Sequence, residues 1–181
     1  MTPQPELIIR EFGPGDEAAF RQLNEEWIRR YFVLEAKDEA SFADPQHTIL
    51  DGGGKIFLAV LDGRPVGCCA LLATAPGEFE VVKMAVTESA QRHGIGRRLI
   101  ERTIAEGFAL GAQRLYLETN HSLAGAIRLY EAQGFRHVPP ERVVPSLYAR
   151  ADVFMELYHN DHAHESNGIS RTGSAGGRPS C

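Results

Sequence analysis

The segment that most constrains the fold runs from residue 80 to residue 110, where an apolar run, a short polar turn and an amphipathic helix follow one another. Glu80-Val81-Val82-Lys83-Met84-Ala85-Val86 is rich in β-branched residues, which suit the pleated surface of a strand. Thr87-Glu88-Ser89-Ala90 interrupts it. From Ile95 onward Leu99, Thr103, Ile104 and Phe108 recur at helical spacing, with Arg97, Arg98, Glu101, Arg102 and Glu106 on the other positions. A strand leading through glycines into a helix N-terminus makes an anion trap. The first helical amides have no internal partner, and the macrodipole adds partial positive charge there. Gly94 and Gly96 let the backbone approach an anion closely, and Arg92, His93 and Arg97 can add charge or donors.

Two common phosphate loops are excluded. A dinucleotide loop needs G-x-G-x-x-G, and Gly94-Ile95-Gly96-Arg97-Arg98-Leu99 lacks the third glycine. A P-loop needs G-x-x-x-x-G-K-[ST]. The only Gly-Lys pair, Gly54-Lys55, has Ile49 at the first glycine and Ile56 at the hydroxyl position.

Gln91-x-x-Gly94-x-Gly96 instead resembles the pyrophosphate loop of the GNAT superfamily of acetyl-CoA-dependent N-acetyltransferases, whose pattern is [Gln/Arg]-x-x-Gly-x-[Gly/Ala]. Leu129-Tyr130-Glu131-Ala132-Gln133-Gly134-Phe135 is similar to the family's L-Y-x-x-x-G-F signature, and the likeness extends over residues 7–158. The resemblance implies an α/β fold with a mixed, mostly antiparallel central sheet, splayed between its fourth and fifth strands and flanked by helices on both faces. It implies direct acetyl transfer from acetyl-CoA to a primary amine, small-molecule or peptide, without a metal. Backbone groups of Met84, Ala85 and Val86 would then pair with pantetheine, as in strand addition. Residues Gln91, Arg92, His93, Gly94, Ile95, Gly96 and Arg97 would hold the pyrophosphate. Tyr130 matches the tyrosine that reprotonates the leaving thiolate in many relatives. Glu80 stands where some relatives carry a catalytic glutamate; Glu118 and an ordered-water chain are the alternatives for the base. Strand alternation would put Glu80, Val82, Met84 and Val86 on one face. The pattern departs at Leu123, where many relatives carry an asparagine; Asn120 lies three residues earlier.

Acceptor recognition would fall on the first two helices and a proline-rich late loop. Tyr31, Glu35, Glu118 and Tyr148 are the candidate contacts, an aromatic-and-acid lining suited to a cation; Trp27 is read as a core residue. A transferase for longer acyl-CoA and a catalytically silent acyl-CoA sensor are the rival readings. Relatives are often dimers, so a homodimer is one assembly the resemblance allows.

Length and composition bound the rest. A chain of 181 residues with 43% hydrophobic and 24% charged residues reads as one soluble domain over 1–158. From His159 to residue 181 the apolar period is lost, and the segment is read as a disordered tail. Its His159-Asn160-Asp161-His162-Ala163-His164 cluster has no rigid frame to fix metal ligands. No apolar run approaches the ~20 residues of a membrane span, and no leader is visible. Adjacent Cys68 and Cys69 point to opposite strand faces and read as buried thiols of a cytoplasmic protein. A net charge of −5 argues against nucleic acid or an anionic membrane as partner.

Taken in order, residues 7–12 read as a strand and Asp16 as the N-cap of a helix with Phe20, Leu23, Trp27 and Tyr31 on one face. A helix over 35–43 stops at Pro45. Strands over 55–61, 66–73 and 78–86 form a meander, turning at Asp62-Gly63-Arg64-Pro65 and Pro76-Gly77. Gly111 caps the long helix. A strand at 114–119, a helix of about ten residues bearing Leu123, Ala126, Ile127 and Tyr130, and strands at 135–138 and 153–158 complete the domain.

Overall fold

The computed structural model describes residues 6–162. The reading of the tail from residue 163 onward, with His164, lies outside the described residues. Residues 159–162 form a helical turn after the last strand, and the rings of His159 and His162 lie against Phe108.

Seven strands form one sheet: β1 (Leu7–Glu11), β2 (Lys55–Leu61), β3 (Arg64–Ala75), β4 (Glu78–Val86), β5 (Arg114–Thr119), β6 (Arg136–His137) and β7 (Val153–Tyr158), in the order β1-β2-β3-β4-β5-β7-β6. Every pairing is antiparallel except β4 with β5. Helices α1 (Glu17–Tyr31) and α2 (Ala36–Ala43) cover one face, α3 (Ile95–Ala109) and α4 (Ala124–Ala132) the other. The sheet therefore separates two cores. Ile56, Leu58, Cys68 and Ala70 pack under α1 and α2; Phe57, Ala59, Cys69 and Leu71 pack under α3. Strands buried on both faces read as continuous apolar runs, which is why β2 and β3 show little alternation.

Local chemistry sets the connections. Asp62 (φ 48°) and Gly63 (φ 78°) make a two-residue turn with both central residues left-handed, the geometry that matches the twist of β2 and β3. At the end of α3, Ala112 N–H bonds the Gly107 carbonyl and Gly111 N–H bonds that of Phe108, a Schellman cap around left-handed Gly111. After α2 the chain makes a π-helical turn (Gln46–Leu50) that buries Ile49 and that the sequence did not signal. It forces glycine at position 54, where a Cβ would sit 2.3 Å from the Leu71 carbonyl oxygen.

Asp16 is the N-cap residue of α1 as expected, but its side chain is used differently, and the buried face of the helix differs from the expected one. Asp16 precedes the helix but makes no side-chain cap; its carboxylate turns back to Arg10 at 2.6 and 2.9 Å and to the Gly13 amide at 2.9 Å. A bidentate guanidinium outcompetes a helix amide for the same oxygens. The buried face is Phe20, Leu23, Asn24 and Ile28, not Phe20, Leu23, Trp27 and Tyr31. Trp27 and Tyr31 line a cleft, Trp27 while also packing partly buried against the core under α1.

Candidate active site

The β4–β5 pairing runs from Glu78↔Arg114 to Val81↔Leu117 and stops there, although both strands continue. Past Val81 the two diverge, so β4 lacks a strand partner on its β5 side. That opening is one wall of a cleft of about 710 Å³, within the usual size for small-molecule sites.

At the mouth of the opening β4 carries a bulge. On β3 the register steps two residues, Cys68 to Ala70, while on β4 it steps three, Ala85 to Val82. The extra residue lies at Lys83, held at φ 55°. Buried neighbours stabilise this left-handed position. The Cys68 thiol donates to the Lys83 carbonyl oxygen at 3.2 Å, and the buried Asn24 amide donates to Cys68 Sγ at 3.3 Å and to the Phe20 carbonyl at 2.8 Å. Burial drives the Cys68 thiol pKa far up, so it remains a neutral donor. Cys69, on the opposite face as expected, is pushed up to about 12 by burial.

The bulge overturns the expected parity of β4. An added residue inverts the alternation beyond it. Val82 packs with Ala85 on the α1/α2 side, whereas Met84 and Val86 pack with Phe79 and Val81 on the α3 side. Glu80 consequently does not share a face with Met84 and Val86; it lines the same cleft from the other side of the strand.

The loop into α3 is formed as an anion cradle. Arg92 (φ 66°) and Gly94 (φ 73°) are both left-handed, and Gly94 is the N-cap without any side-chain cap. Among the described residues, none of the main-chain amides 92–97 donates to a protein acceptor; the first helical bond returning to the loop is Arg98 N–H to the Gly94 carbonyl. Gln91 differs: its amide bonds the Glu88 carbonyl and its side chain bonds that of Val86 at 3.0 Å, so it braces the loop against β4. Arg92, Gly94, Ile95, Gly96 and Arg97 line the cleft and His93 does not. A row of unpartnered amides at a helix N-terminus fits a pyrophosphate.

Tyr130 projects from α4 into the same cleft. Its ring is packed edge-on to Phe135 and its hydroxyl lies 3.5 Å from Met84 Sδ. Burial raises its phenol pKa above the ordinary value, so it is a neutral donor at any working pH.

At the other end of the cleft stand two unlike carboxylates. Burial pushes Glu80 up to about 7, and the charge of Glu118 adds in the same direction against Lys37 and Lys83. Glu118 accepts from the Ser146 hydroxyl and from Tyr116 at 3.4 Å. Beside them lies an ion cluster that the sequence concealed. Asp38, fully buried, receives both arms of Arg150 at 2.8 Å each and Lys83 Nζ at 3.1 Å. Lys83 also donates to the Tyr148 hydroxyl at 3.1 Å, and Lys37 and Arg150 both lie 4.4 Å from the Tyr148 ring centroid. Burial pulls the Lys83 pKa down, with Asp38 opposing it. Glu35 N-caps α2 and pairs with Arg150 at 3.1 Å, outside the cleft lining. Glu35 and Asp38 are therefore neutralised by the late loop and do not form an open cation site, which corrects the expected lining. Tyr31 and Tyr148 do line the cleft. Asn120 lines it too, but its amide donates to the Arg150 carbonyl at 2.7 Å and its oxygen holds Ser122.

Comparison with known proteins is consistent with this geometry. The model of the acetyltransferase (GNAT) family matches residues 20–135. An IAA acetyltransferase of Azospirillum brasilense is 35% identical over 132 residues, covering 72% of this chain and 85% of the relative. The chain belongs to the GNAT acetyltransferase family. Solved structures agree on the fold: a GNAT-family acetyltransferase of Staphylococcus aureus Mu50 superposes with a TM-score of 0.77 at 19% identity, over 84% of this chain and 99% of that one. A second, yncA of Salmonella typhimurium, was solved with its cofactor acetyl-CoA and superposes with a TM-score of 0.64 at 19% identity, over 84% and 94% of the two chains.

In this GNAT acetyltransferase the loop amides, Tyr130, Glu80, Glu118, Tyr31 and Tyr148 meet in one cleft. Sequence reasoning missed Lys83 and the pairing of Asp38 with Arg150. The available signal was a lysine inside an otherwise apolar strand, a position that demands a buried partner. Among the described residues no helix is long and apolar enough to cross a membrane.

Proposed function

We propose that the chain transfers acetyl from acetyl-CoA to the neutral form of a primary amine, with Glu80 as general base and Tyr130 as general acid. The observation that carries this reading is the placement of a carboxyl with a pKa of about 7 and a neutral phenol in one cleft with the unpartnered amides 92–97. Acetyl-CoA, the co-substrate of the GNAT family and the molecule bound in the yncA structure, supplies an activated thioester when held there. The open β4 edge at Met84, Ala85 and Val86 suits the amides of a pantetheine arm, and the α3 N-terminus suits its pyrophosphate.

Glu80 is matched to its task because a base works best with a pKa near the operating pH. Glu118 stands beside it in the cleft; its charge raises Glu80 and attracts the incoming ammonium. Glu80 takes the ammonium proton, and Tyr130 Oη protonates the departing sulfur. The lone pair of a neutral amine is the nucleophile, so the proton must leave first.

Glu80→Gln tests the base. The wild-type enzyme is expected to gain kcat/KM as pH rises through about 7, since only the ionised carboxylate accepts a proton. The variant is expected to lose about 10²-fold or more in kcat/KM and that ascending limb with it. Free-thiol release from acetyl-CoA measured from pH 5.5 to 9 reads both. An unchanged limb in the variant transfers the role to a water chain or to Glu118. Acetyl-CoA binding without thiol release from any amine favours the silent sensor over the transferase.

A further inference from the structure

We infer that the acceptor is a small primary monoamine carried on an apolar, aromatic body, and not a polyamine or an amino acid. This deepens the transferase reading and rests on it. The first argument is the charge inventory of the cleft. Its lining carboxylates are Asp38, Glu80 and Glu118. Asp38 is spent on Arg150 and Lys83, leaving one negative locus, the Glu80–Glu118 pair. A polyamine needs further acids spaced along its length. Past Glu80 the cationic groups of the lining, Lys83 and Arg150, are already paired with Asp38, so no free acid awaits a second ammonium. An amino acid's carboxylate is not favoured either, because Arg150 already has two carboxylate partners, Asp38 and Glu35, and lies between them.

The second argument is independent of charge. Trp27, Tyr31 and Phe32 form a wall of the cleft, their ring centroids 5.4, 5.9 and 6.4 Å apart in the three pairs. Tyr31 leaves 42% of its surface exposed, which is unusual for an aromatic with two aromatic neighbours. The segments bordering the cleft continue the apolar surface, with Val33 80% and Leu147 79% exposed. Those two segments are joined by the Glu35–Arg150 pair and by the Ala149 amide to Glu35. An aromatic ring seated on this wall would bury apolar area on both partners.

The test compares initial rates of thiol release from acetyl-CoA with 2-phenylethylamine, 1,4-diaminobutane, spermidine, phenylalanine and an alanyl tripeptide. Burying a phenyl group predicts kcat/KM for 2-phenylethylamine at least about tenfold above either polyamine. Tyr31→Ala, at a surface position that leaves the core intact, is expected to raise KM for 2-phenylethylamine while KM for acetyl-CoA stays the same. Equal or better turnover of a polyamine, of phenylalanine or of the tripeptide overturns the acceptor class alone, as does an unchanged KM in Tyr31→Ala. Thiol release with none of the five overturns the transferase reading and this one together.

Discussion

Tyr130→Phe is expected to lower kcat by about 10²-fold or more while acetyl-CoA binds with unchanged affinity. The substitution removes one oxygen from a ring that is otherwise well packed. Tyr130 is nearly buried, its ring meets Phe135 edge-on at 6.0 Å, and among the described residues its hydroxyl donates to the weak acceptor Met84 Sδ at 3.5 Å. Phenylalanine keeps the packing and leaves no buried donor without a partner, so folding survives. What is lost is the proton for the departing sulfur. A phenol held above its ordinary pKa looks a poor acid for a thiolate. The dry pocket that raises the phenol also destabilises a nascent thiolate, and both shifts have the same cause. Two readouts separate this role from a packing role. Titration with acetyl-CoA gives the affinity, which a packing defect beside Met84 would move. The pH–rate profile of the variant keeps the ascending limb near 7 that belongs to Glu80, at a lower plateau. Unchanged turnover removes Tyr130 from the chemistry.

The elements whose causes are local were legible in the sequence. Strand runs, the Asp62-Gly63 turn, the glycine cap at 111 and the loop–helix junction at 94–96 each depend on residues a few positions apart, and each is found where expected. The loop and Tyr130 were found for the same reason, since their motifs are short and contiguous. Features that depend on distant partners were not legible. The β4 bulge has no sequence mark of its own. It depends on Cys68 and Asn24 reaching the Lys83 carbonyl from another strand and from α1, and a one-residue insertion is enough to invert every side chain beyond it. Asp38 read as part of the aromatic-and-acid lining suited to a cation. Its partners lie 45 and 112 residues away, beyond any periodicity. The apolar stripe of α1 is broader than its fully buried face: Trp27 packs partly buried against the core, Tyr31 is exposed, and Asn24, a polar residue, occupies the core position beside them.

Asp38→Ala should destabilise the fold by about 3–5 kcal/mol, the cost of stranding buried cations by removing their counter-ion. Lys83, with a side chain 9% exposed, would lose its paired carboxylate, and Arg150 would keep Glu35. For a domain of this size the loss corresponds to a fall in Tm on the order of 10 °C. The pH dependence carries a sign. Burial alone would raise the Asp38 pKa, but the Arg150 hydrogen bonds, the Glu35 amide and the two positive charges outweigh it and hold it below the ordinary carboxylate value. A depressed carboxylate stabilises the fold above its unfolded pKa of about 4, and that stabilisation is lost as pH falls through the folded value. Denaturant unfolding of the wild type should therefore weaken steeply below pH 4, and Asp38→Asn should show a shallower acid limb on a lower curve. Glu156, held low by Arg142 and Arg114 against its own burial, titrates in the same window and keeps the variant's limb from becoming flat. Stability and function separate in the double substitution Asp38→Leu with Lys83→Met. Replacing both halves of a buried pair by apolar groups of similar size is often neutral, and Arg150 retains Glu35. The double variant is expected to recover most of the lost stability and still show impaired kcat/KM, because the Lys83 donor to Tyr148 and the Asp38 half of the tether between α2 and the late loop are both gone. Full recovery of activity along with stability would reduce the cluster to a packing device with no bearing on the acceptor wall.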